Sequence, residues 1–571
     1  MRLLGKMLCS SMLAAAAVLA APVSAQSAGT SANAQQKRPN ILLIVADDLG
    51  WSDLGAFGGE IATPNLDKLA LAGVRFTGFH TAPTCSPTRS MLLGGVDNHE
   101  AGLGSMAELM RPDQKGRPGY EGYLNDRVAS IAELLQQGGY RTLMAGKWHL
   151  GLTPDRSPAA RGFDRSWALL QGLGNHFGAD QNETWGKVER ATYRDGLKEV
   201  AFPKGGYSSD VFADKLIAEL GETRGGGKPF FAYLAFSAPH WPLQAPAADI
   251  ARYKGRYDAG PEALRAARLA RQKQLGLVPA NTTVHTTAGT KPWVSLTAEE
   301  RANSARRMET YAAMVDRVDR NVGRVIEALR ASGELDNTLI LFTSDNGPEG
   351  GTHDQPNRSD GPPDAAALKA LRINNSTANV GTGSSYVSYG AAWAQANSVP
   401  SWLFKGYTTE GGTRVTAFAS GAGVAGGRIS NATLHVLDVA PTLLAVAGLT
   451  QPKTYKGRAI LPYEGHDLTS LLAGAKSEVR GPDEPLAGEL FDGRSLRQGP
   501  WKIVYLASGD SRYLVEKGDG SWKLFDLSRD PGETNDLASQ QPERLAAMIA
   551  EWNRYAAAKG VIVPIPAKAA R

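Results

Sequence analysis

Cys85 opens the string Cys85-Ser86-Pro87-Thr88-Arg89-Ser90-Met91-Leu92-Leu93-Gly94-Gly95. Pro is tolerated in a helix's first turn, where its missing N–H costs nothing, and Met91 to Leu93 give that helix an apolar face. The string therefore predicts a helix with Cys85 at its N-terminus, where orphan N–H groups and the macrodipole favour negative charge. Arg89 follows one turn later on the same face. A nucleophile beside a fixed guanidinium at such a helix end can attack an oxyanion ester. On its own a lone Cys is more often a small buried hydrophobe, so the reading depends on what gathers around it. Asp47-Asp48 and Asp345-Asn346 each follow a wholly apolar run. Three carboxylates and an amide suit a hard cation, Ca²⁺ or Mg²⁺, and no His/Cys cluster has zinc spacing. Lys147 and His149 alternate by two, so in extended chain they face one way; their types suit anion binding and proton transfer. His240 lies in Ser237-Ala238-Pro239-His240-Trp241-Pro242, and Lys405 precedes a Gly pair.

These groups need elements to position them. Ile41 to Val45 and Thr338 to Thr343 read as strands buried on both faces. Tyr140 to Ala145 and the aromatic Pro229 to Phe236 read as two more strands, with Lys147, His149 and His240 just beyond their ends. In a largely parallel sheet all four exits fall on one edge, where α/β folds bind ligands. Helices are expected at 63–72, at Val128 to Leu135, around Val211 to Leu220, and along the stripe Met314, Val318, Val322, Val325, Leu329. Residues 246–299 lack periodicity and read as an inserted surface segment, and 350–400 as a long polar loop. Leu437 to Leu444 reads as a helix with a packing role. From about Pro485 short runs (Leu496 to Tyr505, Arg512 to Lys517, Trp522 to Leu527) predict antiparallel strands, and Leu537 to Ala557 a terminal helix. The fold expected is α/β, a large mainly parallel sheet flanked by helices, with a smaller C-terminal α+β domain. The boundaries expected are 38–484 for the catalytic domain and 485–571 for the second.

Composition fits a globular protein: 571 residues, 42% hydrophobic, 21% charged, net charge +5. So small a charge makes no case for nucleic acid or an acidic membrane surface. Of 2 Cys, Cys9 falls in a leader with Arg2, Lys6, an apolar run and Val23-Ser24-Ala25. This reads as a signal peptide over 1–25, followed by a polar linker over 26–37, and implies a periplasmic or secreted protein without stable membrane association. The mature chain then keeps one thiol and no intrachain disulfide.

Cys-x-Pro-x-Arg with its Leu-x-Gly ending resembles the signature of the type I sulfatases of the alkaline phosphatase superfamily. Family members often carry Thr where this chain has Gly94. Lys405, set before Glu410-Gly411-Gly412-Thr413-Arg414, matches a segment of bacterial arylsulfatases, and the motifs run in family order over nearly the whole mature chain. The chain resembles most the Ca²⁺-dependent bacterial arylsulfatases. That resemblance implies Cys85 oxidised to formylglycine by a maturation enzyme, its hydrate being the nucleophile. It implies one Ca²⁺ held by Asp47, Asp48, Asp345, Asn346 and residue 85. Arg89 and Lys147 would steady the hydroxyl, while Lys147, His240 and Lys405 would bind sulfate oxygens. Asp345 would accept the nucleophile's proton, His240 with Lys405 would protonate the leaving group, and His149 would deprotonate the second hydroxyl. The substrate implied is a small sulfate monoester, aryl sulfates first. A phosphate or phosphonate ester hydrolase of the same superfamily, and a non-catalytic Ca²⁺-dependent binder of sulfated glycans, are the alternatives.

Overall fold

The 40–46 strand shows why the sheet is buried on both faces. Leu42, Ile44 and Ala46 enter one apolar cluster, and Ile41, Leu43 and Val45 the other, because successive side chains of a strand point to opposite faces. The structure, a computed structural model, describes residues 38–179, 190–222, 227–354, 372–508 and 516–563. The leader and linker expected over 1–37 lie outside the described residues, as does most of the run Arg512 to Lys517. In spatial order the ten-stranded sheet runs Arg428–Ser430, Val74–Phe76, Ala417–Gly421, Thr338–Ser344, Asn40–Ala46, Phe230–Ala235, Arg141–Lys147, Arg165–Leu169, Tyr193–Asp195, Lys198–Val200. The five strands from Thr338–Ser344 to Arg165–Leu169 are parallel, and antiparallel strands flank them. Helices Pro64–Ala72, Ser208–Glu222 and Ala298–Ala331 cover one face; Cys85–Gly94, Ile131–Gln137 and Val439–Val446 cover the other.

Several expectations shift. The helix foreseen from Val128 begins at Ile131, because Ser130 caps it: its Oγ accepts from the Glu133 N–H at 3.1 Å while the Glu133 carboxylate accepts from the Ser130 N–H at 2.8 Å, a reciprocal capping box. Residues 246–299 are not a structureless insertion; they contain helices Ala247–Ala251 and Pro261–Gln274. The second helix shows no apolar stripe because the face it buries carries Arg265, Arg268 and Gln272. Arg268 Nε donates to Glu60 at 2.7 Å and Nη1 to Asp53 at 2.5 Å. The stretch 350–400, described only outside 355–371, includes helix Ala391–Asn397. The run Leu496 to Tyr505 is two strands, Gly493–Gln498 and Trp501–Tyr505. With Pro485–Leu490 and Trp522–Asp526 they form a four-stranded antiparallel sheet. The terminal helix starts at Pro542, not Leu537, and ends at Lys559; Pro fits a helix's first turn.

Candidate active site

The parallel strands end along one edge, and the side chains that follow them meet there. Asp47 and Asp48, both buried, follow the 40–46 strand, and Asp48 turns the chain at φ 65°, a left-handed conformation that Asp tolerates better than most residues. The adjacent 338–344 strand delivers Asp345 and Asn346. Asp345 Oδ1 accepts from the Asp48 N–H at 3.2 Å, and Asn346 Nδ2 donates to Asp48 Oδ1 at 2.6 Å. Asn346 Oδ1 is buried and finds no partner among the described residues.

Cys85 opens the Cys85–Gly94 helix, its Sγ 3.3 Å from Asp47 Oδ1 and 3.8 Å from Asp48 Oδ1. One turn on, buried Arg89 donates from Nε to Asp345 Oδ2 at 2.9 Å and from Nη1 to the Lys147 carbonyl at 3.0 Å. Lys147 Nζ donates to Asp47 Oδ2 at 2.6 Å. Lys405 Nζ donates to Asp48 Oδ2 at 2.8 Å and lies 3.5 Å from Glu349 Oε2. His240 Nε2 lies 3.5 Å from Asp48 Oδ2, and its Nδ1 is 2.6 Å from the Trp241 carbonyl. A carbonyl only accepts, so the neutral ring carries its proton on Nδ1 and offers Nε2 as an acceptor. Trp241 stacks on His240 with centroids 5.4 Å apart and on His353 at 4.1 Å, and Tyr386 meets its edge at 5.2 Å. Nine of the residues singled out from sequence thus form one network.

His149 departs from its expected placement. The chain is not extended there: His149 sits at φ 59°, and among the described residues no hydrogen bond joins its side chain to the other nine, although Lys147 and Arg89 act on it electrostatically. Its Nε2 pairs with Glu108 Oε1 at 3.0 Å, and its buried Nδ1 has no partner among the described residues. Two residues escaped the sequence reading. Glu349 lies three positions past Asn346, a proximity that could have flagged it. Glu108 is 41 residues from His149, and no local signal marks it.

Electrostatics explains the packing. Burial favours the neutral form of Asp47, but Lys147, then His240 and Arg89, outweigh it and hold the carboxyl far below its usual range. For Asp48 burial, with Asp47, Glu349 and Asp345 nearby, outweighs Lys405 and pushes the carboxyl up to about 7. Burial and Asp47 likewise raise Asp345. Burial opposes charge on Lys405 and Lys147, yet Asp48 and Asp47 respectively override it and raise both ammonium groups. Burial, then Lys405, drives His240 well below the ordinary imidazole range. Burial and Asp47 lift the Cys85 thiol well above its own, so it is a thiol rather than a thiolate. Carboxylates raised by burial and then by one another, beside an orphaned amide oxygen, are the donor chemistry of a hard divalent cation. The donor atoms of Asp47, Asp48, Cys85 and His240 lie within 4.8 Å of one another, with Asp345 and Asn346 bonded to Asp48 beside them.

Known proteins share this chain over most of its length. A family model described as "Sulfatase" matches residues 39–449. An uncharacterized sulfatase of Schizosaccharomyces pombe is 46% identical over 543 residues, covering 93% of this chain and 95% of that one. An arylsulfatase of Klebsiella aerogenes is 39% identical over 474 residues, covering 81% and 99%. Among solved structures, Ps i-CgsB in complex with k-i-k-neocarrahexaose superposes with TM-score 0.64 at 25% identity, covering 91% and 92%.

Proposed function

Because this chain belongs to the sulfatase family, and so is a sulfuric ester hydrolase, we propose that it cleaves aryl sulfate monoesters through formylglycine at position 85 and one Ca²⁺. The observation that carries this reading is Cys85 seated 3.3 Å from Asp47 beside buried Arg89, Lys147 and Lys405. Asp47, Asp48, Asp345 and Asn346, with residue 85, would hold Ca²⁺, which supplies a fixed positive charge toward a sulfate oxygen and the nucleophile. The oxidised residue 85 supplies a hydrated aldehyde, an oxygen nucleophile that the protonated thiol is not.

The chain's own residues do the rest. Asp47, Asp48, Asp345 and Glu349 outnumber Arg89, Lys147 and Lys405 by a single charge, so a bound divalent cation leaves the pocket net positive and matched to a sulfate ester. Lys147 and Lys405 bind and orient the sulfate oxygens, where fixed cations in a dry site act most strongly. Asp345 takes the nucleophile's proton, since its carboxylate reaches the same cluster from the next strand. His240 and Lys405 share Asp48 and stand ready for the leaving oxygen. His240 is neutral with its proton on Nδ1, so Lys405, which keeps its charge, is the stronger donor of the two. His149, held by Glu108, is the base for the second hydroxyl. The aryl preference is supported by Trp241 stacked on His240, with Tyr386 at its edge: an aromatic leaving group can pack on such a wall. The name of the Klebsiella aerogenes relative supports it too.

A formylglycine-generating enzyme would act before or during export, and the Arg2-Lys6 leader supports a periplasmic or secreted location. No described helix is long and apolar enough to cross a membrane. We read 38–484 as the catalytic domain and 485–571 as the α+β domain, a division supported by the separate apolar cluster of Leu496, Ile503, Leu524, Met548 and Trp552.

One experiment tests the reading. The mass of the tryptic peptide containing residue 85 is expected to show sulfur and two hydrogens replaced by one oxygen. The same preparation is expected to turn over a chromogenic aryl sulfate, lose that turnover in EDTA and regain it with Ca²⁺, while Cys85→Ala is inactive. An unmodified Cys85 in fully active protein, or full activity in Cys85→Ala, refutes the mechanism. A higher kcat/KM on the matched aryl phosphate refutes the substrate.

A further inference from the structure

A second opening lies between the loops of the main sheet and the C-terminal sheet. It measures about 810 Å³, and none of the residues gathered around Cys85 lines it. That volume suits a small organic ligand. Thr77 and Asn431 belong to one side, Leu486, Arg497 and Leu527 to the other, with Arg414 among the lining residues.

Three carboxylates, Glu410, Glu478 and Glu484, and three guanidiniums, Arg414, Arg480 and Arg497, line the wall. The carboxylates that are not exposed are already paired. Glu410 is held by Lys502 Nζ at 2.8 Å and by His80 Nε2 at 3.0 Å. Glu484 is 2.6 Å from His466 Nε2; Glu478 is exposed. Arg480 is committed to Asp438. Arg414 and Arg497 are left over. Arg414 is only 6% exposed, and its Nε and Nη2 find no acceptor among the described residues. The indole of Trp51 lies 4.0 Å beneath its guanidinium. That contact leaves the in-plane donors unused. Arg497 spends Nε on the Gly499 carbonyl at 3.1 Å and approaches His80 Nε2 with Nη1 at 3.2 Å, and no carboxylate pairs with it among the described residues. Burial weakens both, pushing Arg414 down to about 10. A buried guanidinium whose donors find no acceptor is a costly arrangement; Arg414 is one, only partly offset by Glu410, and the half-buried Arg497 opens into the same cavity.

We propose that this cavity is a second anion-binding site, distinct from the site around Cys85, which takes an organic anion: a sulfonate, sulfate or carboxylate head on Arg414 and Arg497, and an apolar body against Leu277, Val278, Leu486 and Leu527. The planar fork of Arg suits a flat or tetrahedral oxyanion. The apolar wall explains why the opening is not simply a salt-binding cleft. The binding test needs no turnover and is independent of the mechanism at Cys85.

The full-length protein is titrated calorimetrically with naphthalene-2-sulfonate, whose C–S bond is not an ester, and separately with inorganic sulfate. The same titrations are run on Arg414→Met, Arg497→Met and Leu486→Trp, the last of which fills the cavity. Saturable sulfonate binding is expected in the wild type, weakened at least tenfold in each variant, with kcat/KM on an aryl sulfate changed less than threefold. Should Arg414→Met fail to fold, the half-buried Arg497 and Leu486 positions still decide. Absence of saturable binding overturns the proposal. So does an affinity unchanged within twofold in Arg497→Met and Leu486→Trp, or a sulfonate that is purely competitive with the aryl sulfate at an inhibition constant equal to its dissociation constant. Sulfate binding as tightly as the sulfonate overturns the apolar half of the site.

Discussion

Asp48 is the residue on which the site turns. It takes a left-handed backbone, accepts from Asn346, receives Lys405, and faces His240. Strained backbone of this kind persists where the surroundings over-determine it. His149 is left-handed too, its N–H held by the Leu170 carbonyl at 3.1 Å, but among the described residues its imidazole makes a single hydrogen bond, with Glu108. Burial holds the imidazole below its ordinary value, and Glu108 partly opposes that. Glu108→Gln removes the opposing charge, so the His149 pKa falls further and the base stays unprotonated to lower pH. The acid limb of the kcat/KM profile on an aryl sulfate is therefore expected to move to lower pH. A limb that stays put, or moves up, separates His149 from the proton-transfer role.

At the scale of the element, the Cys85–Gly94 helix matters because it carries both Cys85 and Arg89, and its last turn explains a departure from the family pattern. A Cβ at Gly94 would stand 2.8 Å from Val128 Cγ1. The position that often holds Thr elsewhere is Gly here because Val128, just ahead of the Ile131–Gln137 helix, fills the space. Gly94→Thr is therefore expected to overpack this joint, at a cost of about 1–3 kcal/mol, and to lower turnover by moving Cys85 and Arg89. Val128→Ala added to it is expected to restore most of both. Thermal denaturation and aryl sulfate turnover of the two single variants and the double variant check the coupling, and additivity would argue against it.

Across the whole molecule, the C-terminal sheet is tied to the main sheet by buried ions. Lys502 reaches Glu410 at 2.8 Å and Glu533 at 3.0 Å. His99 bridges Asp97 and Glu489 at 2.9 and 3.2 Å, and Tyr555 donates to Asp97 at 2.9 Å. Removing one partner of a buried set strands the others, so Lys502→Met is expected to destabilise by about 3–5 kcal/mol. Limited proteolysis of that variant is expected to cut first at the C-terminal sheet. The triple change Lys502→Met, Glu410→Gln, Glu533→Gln, which removes the stranded charges, is expected to recover much of the loss in denaturant midpoint.

The sequence by itself determined the parallel sheet and most of the side chains that cluster at its edge. Apolar runs such as Ile41 to Val45 bury both faces, and polar groups placed just past such runs must share an edge once the strands are parallel. Asp47, Asp48, Lys147, His240, Asp345 and Asn346 meet for that reason; Cys85 and Arg89 arrive on the Cys85–Gly94 helix, and Lys405 on the loop before Glu410–Thr413. Tertiary structure alone decided what depends on partners far along the chain. Glu108 finds His149 across a loop, and the Pro261–Gln274 helix hides behind a face of Arg and Gln that pairs with Asp53 and Glu60. Asp48 gains its raised carboxyl first from burial, then from Asp47 beside it and from Glu349 and Asp345, both brought in from far along the chain. Periodicity records which residues avoid water; it carries no record of which buried charge will answer another.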